Sequence, residues 1–148
     1  MERIPSHGMT AIRAAEYAPH FAEAKHLFLA GDLRQPNPHP FFRDPRVEIV
    51  ACKYQAGDGG LYHWHAVVTE YEYVLEGSVS YVEAATGVWQ RFEPGDLTLI
   101  PAGVCVRRIV DQPCRTLALK IPSSAEKTHC AQCTRKCPSR QELYGGAP

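Results

Sequence analysis

Two histidines and a glutamate near the middle of the chain have the types and spacing of metal ligands. His63 and His65 are separated by one residue, and Glu70 follows after four more. Residues two apart in a β-strand share a face, so both imidazoles would point the same way, with Glu70 returning on the next strand. Two nitrogens and one carboxylate with open positions suit Fe(II), and also Mn, Ni, Cu or Zn. The sequence therefore predicts a metal site; the alternative is a polar pocket without metal.

Two further charged residues, Glu72 and Arg108, are candidates for the same pocket because of their positions along the predicted strands. Glu72 lies two residues after Glu70, so both side chains should point to the same face of a strand. Glu72 is therefore predicted to be either a fourth ligand or a general acid or base in the pocket. Its alternative is a solvated carboxylate at the pocket mouth. Arg108 shares a face with Val106 and would pair with Glu72 or hold an anionic group of a substrate. For Arg108 the favoured alternative is an outward-facing surface residue, placed there by a bulge.

A second group of metal-binding residue types lies near the end of the chain. It consists of His129, Cys130, Cys133 and Cys137, with Pro138 after the last cysteine. Gaps of two and three residues allow thiolates to converge on one ion, so these four residues are a candidate second site for zinc or iron. The alternative is a tail of unliganded thiols.

The elements that must position these residues are predicted to be short strands. Residues 47–121 alternate β-rich runs with turn residues and contain no helical crossover, which predicts antiparallel sheets in a sandwich or barrel. The predicted runs are Val47–Tyr54, Leu61–Ala66, Glu70–Leu75, Ser78–Glu83, Val88–Phe92, Leu97–Ile100, Val104–Val110 and Leu117–Ile121.

The flanking segments have a different character. Residues 10–31 are predicted to be partly helical, with Phe21, Leu27 and Phe28 along one side and Gly31 as the helix stop. Four prolines make residues 34–46 an extended link. This gives three parts: residues 1–46 as an arm packing on the barrel, residues 47–121 as the barrel, and residues 122–148 as a polar tail with the cysteine cluster.

The spacing of the central residues resembles the signatures of the cupin superfamily. The first signature is matched at Gly57, His63, His65, Glu70 and Gly77, and the second at Gly95, Pro101 and Gly103. Val106 stands where the second signature has its histidine. Cupins commonly hold their metal with three histidines and one glutamate, so the resemblance implies three of the four ligands here.

The resemblance covers about half the chain, roughly residues 47–121, and implies a fold. That fold is an all-β, double-stranded β-helix barrel, the cupin jelly roll of the small single-domain (RmlC-like) kind. A short N-terminal helical segment and a cysteine-containing C-terminal tail would flank the barrel. The resemblance also implies a homodimer that pairs through sheet edges.

Composition argues against several classes of partner. Sixteen Lys and Arg residues balance sixteen Asp and Glu residues, so no strong field would attract nucleic acid or anionic lipid. No stretch approaches the roughly 20 apolar residues of a membrane helix, and the start of the chain lacks the apolar core of a signal peptide. The expectation is a cytoplasmic protein with reduced thiols that binds neither nucleic acid nor membrane.

Three functions fit these observations. The first is a metal-dependent enzyme acting on a small molecule, with oxidoreductase chemistry of the oxygenase type slightly favoured. The second is a sugar or nucleotide-sugar isomerase, epimerase or dehydratase, in which a pocket histidine and Glu72 form the acid/base pair and Arg108 holds a phosphate. The third is a non-enzymatic sensor, in which the barrel captures a ligand and the cysteine tail responds to metal or redox state.

Overall fold

The computed structural model describes residues 1–4 and 8–132, and most of its elements are β-strands. One α-helical turn, α1 (Ala14–Tyr17), continues into a 3-10 helix at Ala18–Ala22, and a second 3-10 turn spans Cys130–Gln132. Eleven strands lie in the described residues: β1 (His26–Gly31), β2 (Phe42–Arg43), β3 (Glu48–Tyr54), β4 (His63–Trp64), β5 (Thr69–Glu76), β6 (Val79–Glu83), β7 (Trp89–Phe92), β8 (Leu97–Ile100), β9 (Val106–Ile109), β10 (Cys114–Ile121) and β11 (Thr128–His129).

The strands form two sheets that share one core. The larger sheet has the order β2-β1-β3-β10-β5-β8, and the smaller has the order β11-β4-β9-β6-β7. Every pairing between these strands is antiparallel except that of β1 with β2. Buried residues from both sheets, such as Val50 and Val74 of the larger and Val79 and Val106 of the smaller, pack in a single apolar cluster. The all-β prediction is confirmed.

Alternation along β5 determines which side chains enter the barrel. Glu70, Glu72 and Val74 are buried, whereas Tyr73 between them is exposed. Side chains on a strand alternate between its two faces, so the inner face of this strand carries two carboxylates before it becomes apolar. The polar part of the interior therefore lies at the Glu70 end of β5.

The strand predictions for residues 47–121 agree with the structure, because each of the eight predicted runs overlaps one strand from β3 to β10. The helix prediction is wrong over residues 26–31, which form β1. Backbone pairing explains the difference: His26 lies opposite Cys52 and Leu27 opposite Ala51 in an antiparallel ladder, and Leu27 is 2% exposed. Such tertiary pairing outweighs the modest helix propensity of an Ala- and Leu-containing segment.

The flanking segments also contribute strands. β1 and β2 belong to the larger sheet, and β11 extends the smaller sheet beyond residue 121. The division of the chain at residues 46 and 121 stays a prediction. Among the described residues, no helix combines the length and apolar character needed to span a bilayer.

Candidate metal centre

His63, His65 and Glu70 come together inside the barrel, as their spacing predicts. One ligand atom from each residue lies within 4.8 Å of the other two. His63 ends up there because it begins β4, His65 directly follows that strand, and Glu70 comes from β5 of the opposite sheet. His65 and Glu70 are each 5% exposed. The three residues are thus a compact donor set of two imidazoles and one carboxylate, drawn from both sheets.

Backbone carbonyls orient both imidazoles. The Nδ1 atom of His65 lies 2.6 Å from the carbonyl oxygen of Glu126, and Nδ1 of His63 lies 3.2 Å from that of Leu61. A carbonyl oxygen only accepts hydrogen bonds, so each Nδ1 carries the proton and donates it. The Nε2 atom of each ring is then left with its lone pair available, which is the arrangement usual for metal-binding histidines.

The arrangement of this donor set favours a bound cation, because the described residues leave one of its buried atoms without a hydrogen-bond partner. Nε2 of His65 is buried and makes no hydrogen bond within the described part of the chain. It lies 3.7 Å from Oε2 of Glu70, which is too long for a hydrogen bond. With the proton on Nδ1, a nitrogen lone pair faces a carboxylate oxygen, and a buried polar atom without a partner is costly. A divalent ion would satisfy both atoms.

The protonation states suit ligation as well. Burial opposes ionisation of Glu70, but His65, when its ring carries a second proton on Nε2, and the positive charges of Lys120 and Arg108 outweigh it and lower the pKa of Glu70 to about 2. Burial, helped by the charge of Lys127, lowers the pKa of His63 to about 4. At neutral pH Glu70 is therefore a carboxylate and His63 a neutral imidazole, the forms that bind metal.

The strand register shows which residue occupies the position where the resemblance to cupins implies a fourth ligand. His63 lies directly opposite Val106 of β9 on one side and opposite His129 of β11 on the other. Val106 is buried and offers no donor atom. The His129 ring packs 6.1 Å from the His63 ring, and its Nδ1 is buried without a hydrogen-bond partner in the described residues. In this conformation His129 is nevertheless outside the three-residue ligand group.

Glu72 is in the barrel interior, as its position two residues after Glu70 predicts, and its carboxylate contacts protein side chains. It is fully buried and is therefore not a solvated carboxylate at the pocket mouth. Tyr81 donates a hydrogen bond of 2.6 Å to Oε1, and Thr116 donates one of 3.0 Å to Oε2. Nη2 of Arg108 lies 3.5 Å from the same Oε2. These partners occupy the carboxylate, and Glu72 belongs neither to the ligand group nor to the residues lining the nearby cavity.

Arg108 also points inward, so the favoured expectation of an outward surface residue is wrong. Its Nε donates a hydrogen bond of 3.0 Å to the Tyr81 hydroxyl oxygen. Its guanidinium carbon lies 4.7 Å from the centre of the Tyr54 ring and 5.4 Å from that of the Tyr81 ring. The physical reason is the regular register of β9 with β6, which places Arg108 opposite Tyr81 and keeps its parity unshifted. The predicted pairing with Glu72 is present.

A cavity of about 130 Å³ adjoins the ligands and contains residues that the sequence did not single out. His63, Glu70 and Arg108 contribute to its wall, together with His26, Phe28, Val50, Cys52, Tyr54, Ala118, Lys120 and Lys127. Lys120 lies directly opposite Glu70 in the pairing of β10 with β5. The sequence offered one signal for Lys120. It lies two residues after Ala118 and four after Thr116, so these three side chains share one face of a strand.

A tyrosine and a histidine in this wall share a hydrogen bond. The Tyr54 hydroxyl and Nε2 of His26 are 2.8 Å apart. Burial raises the pKa of Tyr54, so its hydroxyl keeps its proton. His26 was missed because it begins β1, in the segment predicted to be helical. The short apolar run that follows it, bounded by Gly31, was the sequence signal for a strand.

The residues of the candidate cysteine site do not all fall within the described part. His129 packs against His63, as described above. Cys130 is 1% exposed and packs with Tyr62 and Ala84 in a small buried cluster. Cys133 and Cys137 lie outside the described residues. The second metal site stays a prediction.

Comparisons with known proteins agree with the architecture. No family model matches the sequence, and no curated protein sequence matches it either. Among solved structures, a conserved protein with a double-stranded β-helix domain from Klebsiella pneumoniae is similar with a TM-score of 0.53 and 16% identity, over 58% of this chain and 76% of that one. KdgF from Halomonas is similar with a TM-score of 0.50 and 23% identity, over 55% of this chain and 74% of that one.

A third similar structure is the DMSP lyase DddQ from Ruegeria pomeroyi. It has a TM-score of 0.58 and 18% identity, over 74% of this chain and 53% of that one. Sequence identities this low indicate a shared fold only, and the function has to be argued from the residues of the site. The chain has the double-stranded β-helix fold of the cupins, which confirms the fold implied by its signature-like spacing.

Proposed function

We propose that this chain is a metal-dependent enzyme acting on a small molecule, with a divalent transition metal held by His63, His65 and Glu70. The observation that carries the proposal is the buried Nε2 of His65, which faces Glu70 at 3.7 Å without a hydrogen bond to the described residues. Two imidazoles and one carboxylate with open positions favour Fe(II), with Mn, Ni, Cu or Zn as alternatives. Oxygenase chemistry is the reaction type we favour for such a set.

A bound divalent ion would act as a Lewis acid and offer open positions to a substrate, to water or to dioxygen. The carbonyl oxygens of Leu61 and Glu126 fix the two imidazoles so that Nε2 is the ligand atom in each. Glu126 also accepts a hydrogen bond of 2.9 Å from the backbone N–H of Ala66, which anchors the segment next to His65. Glu72 and Tyr81 position Arg108 at the cavity wall.

A second candidate is a sugar-type isomerase, epimerase or dehydratase that works by acid/base chemistry without metal. The hydrogen-bonded pair of Tyr54 and His26 supports it, because both residues line the cavity and form a route for a proton. In this form of the hypothesis the pair takes the role that the sequence suggested for Glu72, whose oxygens are already occupied. The sensor hypothesis depends on the cysteine tail and stays a prediction.

The first experiment measures metal per chain by plasma mass spectrometry on untagged protein purified without chelators. The double variant His63→Ala/His65→Ala is compared with His129→Gln, a matched control that removes a neighbouring imidazole outside the ligand group. Cys133→Ser/Cys137→Ser tests the tail in the same assay. We expect near-stoichiometric metal in the wild type, its loss in the histidine double variant, and its retention in the other two.

Other outcomes would separate the candidates. Metal that disappears only from the cysteine variant would place the metal site in the tail and contradict the barrel site. A wild type that carries no metal, and whose melting temperature is unchanged by added Fe(II), Mn, Ni, Cu or Zn, would contradict the metal-dependent enzyme and favour the acid/base candidate.

A further inference from the structure

Three cationic side chains line the same small cavity as the candidate metal ligands. Arg108, Lys120 and Lys127 enter it from β9, β10 and the segment before β11, beside His63 and Glu70. Like charges gathered around one cavity repel one another unless anions lie between them. The net charge of this cavity therefore influences whether an anionic or a neutral ligand binds there.

Two of the three cations have a carboxylate partner among the described residues, and the third has none there. Arg108 lies 3.5 Å from Glu72, and Lys120 lies 3.2 Å from Glu48. Lys127 makes no hydrogen bond or ion pair with residues 1–4 and 8–132, although its side chain helps to line the cavity. It is therefore available to a ligand that enters.

The charge balance becomes positive when a metal binds. The three cations are matched by three acidic side chains, those of Glu48, Glu70 and Glu72. A divalent ion on Glu70 adds two positive charges to a site that is otherwise balanced. A partly buried excess of charge is costly, and an anionic ligand would neutralise it.

The rest of the wall argues for an organic anion rather than an inorganic one. Phe28, Val50 and Ala118 present apolar surface to the same cavity. Burying a short carbon skeleton there is favourable, whereas a phosphate ion offers no apolar surface to bury. The small volume, about 130 Å³, limits the skeleton to a few carbons.

We propose that the cavity binds a small carboxylic acid as its anion, with carboxylate groups placed between the metal position at His63, His65 and Glu70 and the ammonium group of Lys127. This inference rests on the proposed function, because it names the substrate class of the same site. Arg108 and Lys120 complete the cationic wall, and the carbon skeleton lies against Phe28 and Val50.

The test uses malonate and its neutral analogue malonamide, which have similar size and differ in charge. Binding of each to the metal-loaded wild type is measured by isothermal titration calorimetry, with inorganic phosphate as a third ligand. Metal content is measured again after dialysis against malonate, so that removal of the ion by the ligand is recognised. We expect malonate to bind, with malonamide and phosphate each at least roughly tenfold weaker.

The variant Lys127→Gln removes the available ammonium group, and Lys53→Gln, at the one exposed position of β3, is the matched control. We expect Lys127→Gln to weaken malonate roughly tenfold or more with unchanged metal content, and Lys53→Gln to leave the affinity unchanged. Equal binding of malonate and malonamide, an unchanged affinity in Lys127→Gln, or phosphate binding as tight as malonate would each overturn the proposal.

Titrations of metal-free protein test this inference separately from the proposed metal site. If the protein holds no metal, the proposed function fails, and the same titrations are run on the metal-free wild type and on Lys127→Gln. Malonate binding that still exceeds malonamide binding and still depends on Lys127 would support the anion site without a metal. Absence of that charge preference would overturn the anion site as well.

Discussion

Glu72 and Arg108 form an ion pair inside the barrel, next to the candidate metal centre. Glu72 is fully buried, and the Arg108 side chain is 13% exposed. Removing two charges from water is expensive, and their attraction offsets that cost only when the remaining donors and acceptors are also satisfied. Tyr81 and Thr116 provide those hydrogen bonds. The network therefore holds Arg108 at the cavity wall while keeping Glu72 away from ligands.

The buried pair should be sensitive to loss of one partner. We expect Glu72→Gln to lower the free energy of unfolding by about 3 kcal/mol or more, because the charge of Arg108 is then left buried without a counter-charge. Guanidinium unfolding followed by circular dichroism measures the change.

Glu76→Gln on the same strand is the matched control. Glu76 lies 3.9 Å from Arg115 in an ion pair whose carboxylate side chain is 68% exposed. Exposed pairs contribute about 1 kcal/mol or less, so this variant should stay close to the wild type. Equal losses in the two variants would mean that Glu72 does not stabilise the buried Arg108.

Strand parity accounts for how much of the site was predictable. It placed His63, His65, Glu70 and Glu72 on inward faces from the sequence alone, because the two-residue period of a strand is strict where no bulge intervenes. Parity does not determine partners across the barrel. The hydrogen bond of Glu72 with Tyr81 depends on how the two sheets pack, and that with Thr116 depends on the pairing of β5 with β10, so neither contact could be predicted from the sequence.

At the scale of elements, the site depends on tight turns between strands, and Gly77 is the clearest example. It lies between β5 and β6 with a φ of +70°, in the left-handed region that favours glycine. A Cβ atom there would lie 2.1 Å from the carbonyl oxygen of Pro113. The position therefore excludes a side chain for two reasons, backbone conformation and close approach of a neighbouring segment.

A pair of alanine substitutions separates these two reasons. Gly87 has nearly the same φ, +69°, but a Cβ atom at that position would have no neighbouring atom within 4 Å among the described residues. We expect Gly87→Ala to lower the free energy of unfolding by about 1 kcal/mol, the cost of a left-handed backbone for an L-residue. Gly77→Ala should lose roughly 1–3 kcal/mol more, because backbone must move to relieve the overlap.

Chemical denaturation of both variants gives the comparison directly. Equal losses would mean that the contact between Gly77 and Pro113 relaxes freely and that only the backbone conformation matters. A greater loss for Gly87→Ala than for Gly77→Ala would contradict the assignment of Gly77 as the tighter turn.

The elements themselves were predictable to different degrees. Turn residues mark the strands of residues 47–121 clearly, and each was found. β1 was not, because Leu27, Phe28, Leu29 and Ala30 are compatible with a buried helix as well as with a strand, and short apolar runs do not distinguish the two by periodicity. Pairing of β1 with β3, a contact distant in sequence, decides the outcome.

At the scale of the whole molecule, the larger sheet has an apolar patch on its outer face where β8, β5 and β10 lie side by side. Tyr73 is exposed on β5, and Leu97 and Leu99 of β8 are 60% and 54% exposed. The register brings outward positions into two adjacent rows, none of them charged: Leu99, Tyr71 and Leu119 in one row, and Leu97, Tyr73 and Leu117 in the other. The usual pattern is thus inverted on these strands, with polar residues inside at the site and apolar residues outside.

An exposed apolar surface of this kind is typical of interaction sites. A second copy of the chain is the partner we expect, because β8 is an edge strand and a two-fold axis there would bring two identical apolar faces together. For the homodimer that the resemblance to cupins implies, this face is the surface we predict. Residue types alone did not indicate it, because leucines on strands are ordinarily assigned to the core.

Analytical ultracentrifugation at micromolar concentration tests this surface. We expect a dimer for the wild type and a monomer for Leu97→Glu/Leu99→Glu, because two carboxylates per chain would be buried without partners at the interface. Trp89→Glu is the matched control: Trp89 is 57% exposed on β7 of the smaller sheet, so its replacement should leave the dimer intact. A monomeric wild type, or dissociation by Trp89→Glu and not by the leucine variant, would contradict pairing through this face. If the leucine variant is monomeric and still retains metal at His63, His65 and Glu70, each barrel carries a complete site within one chain.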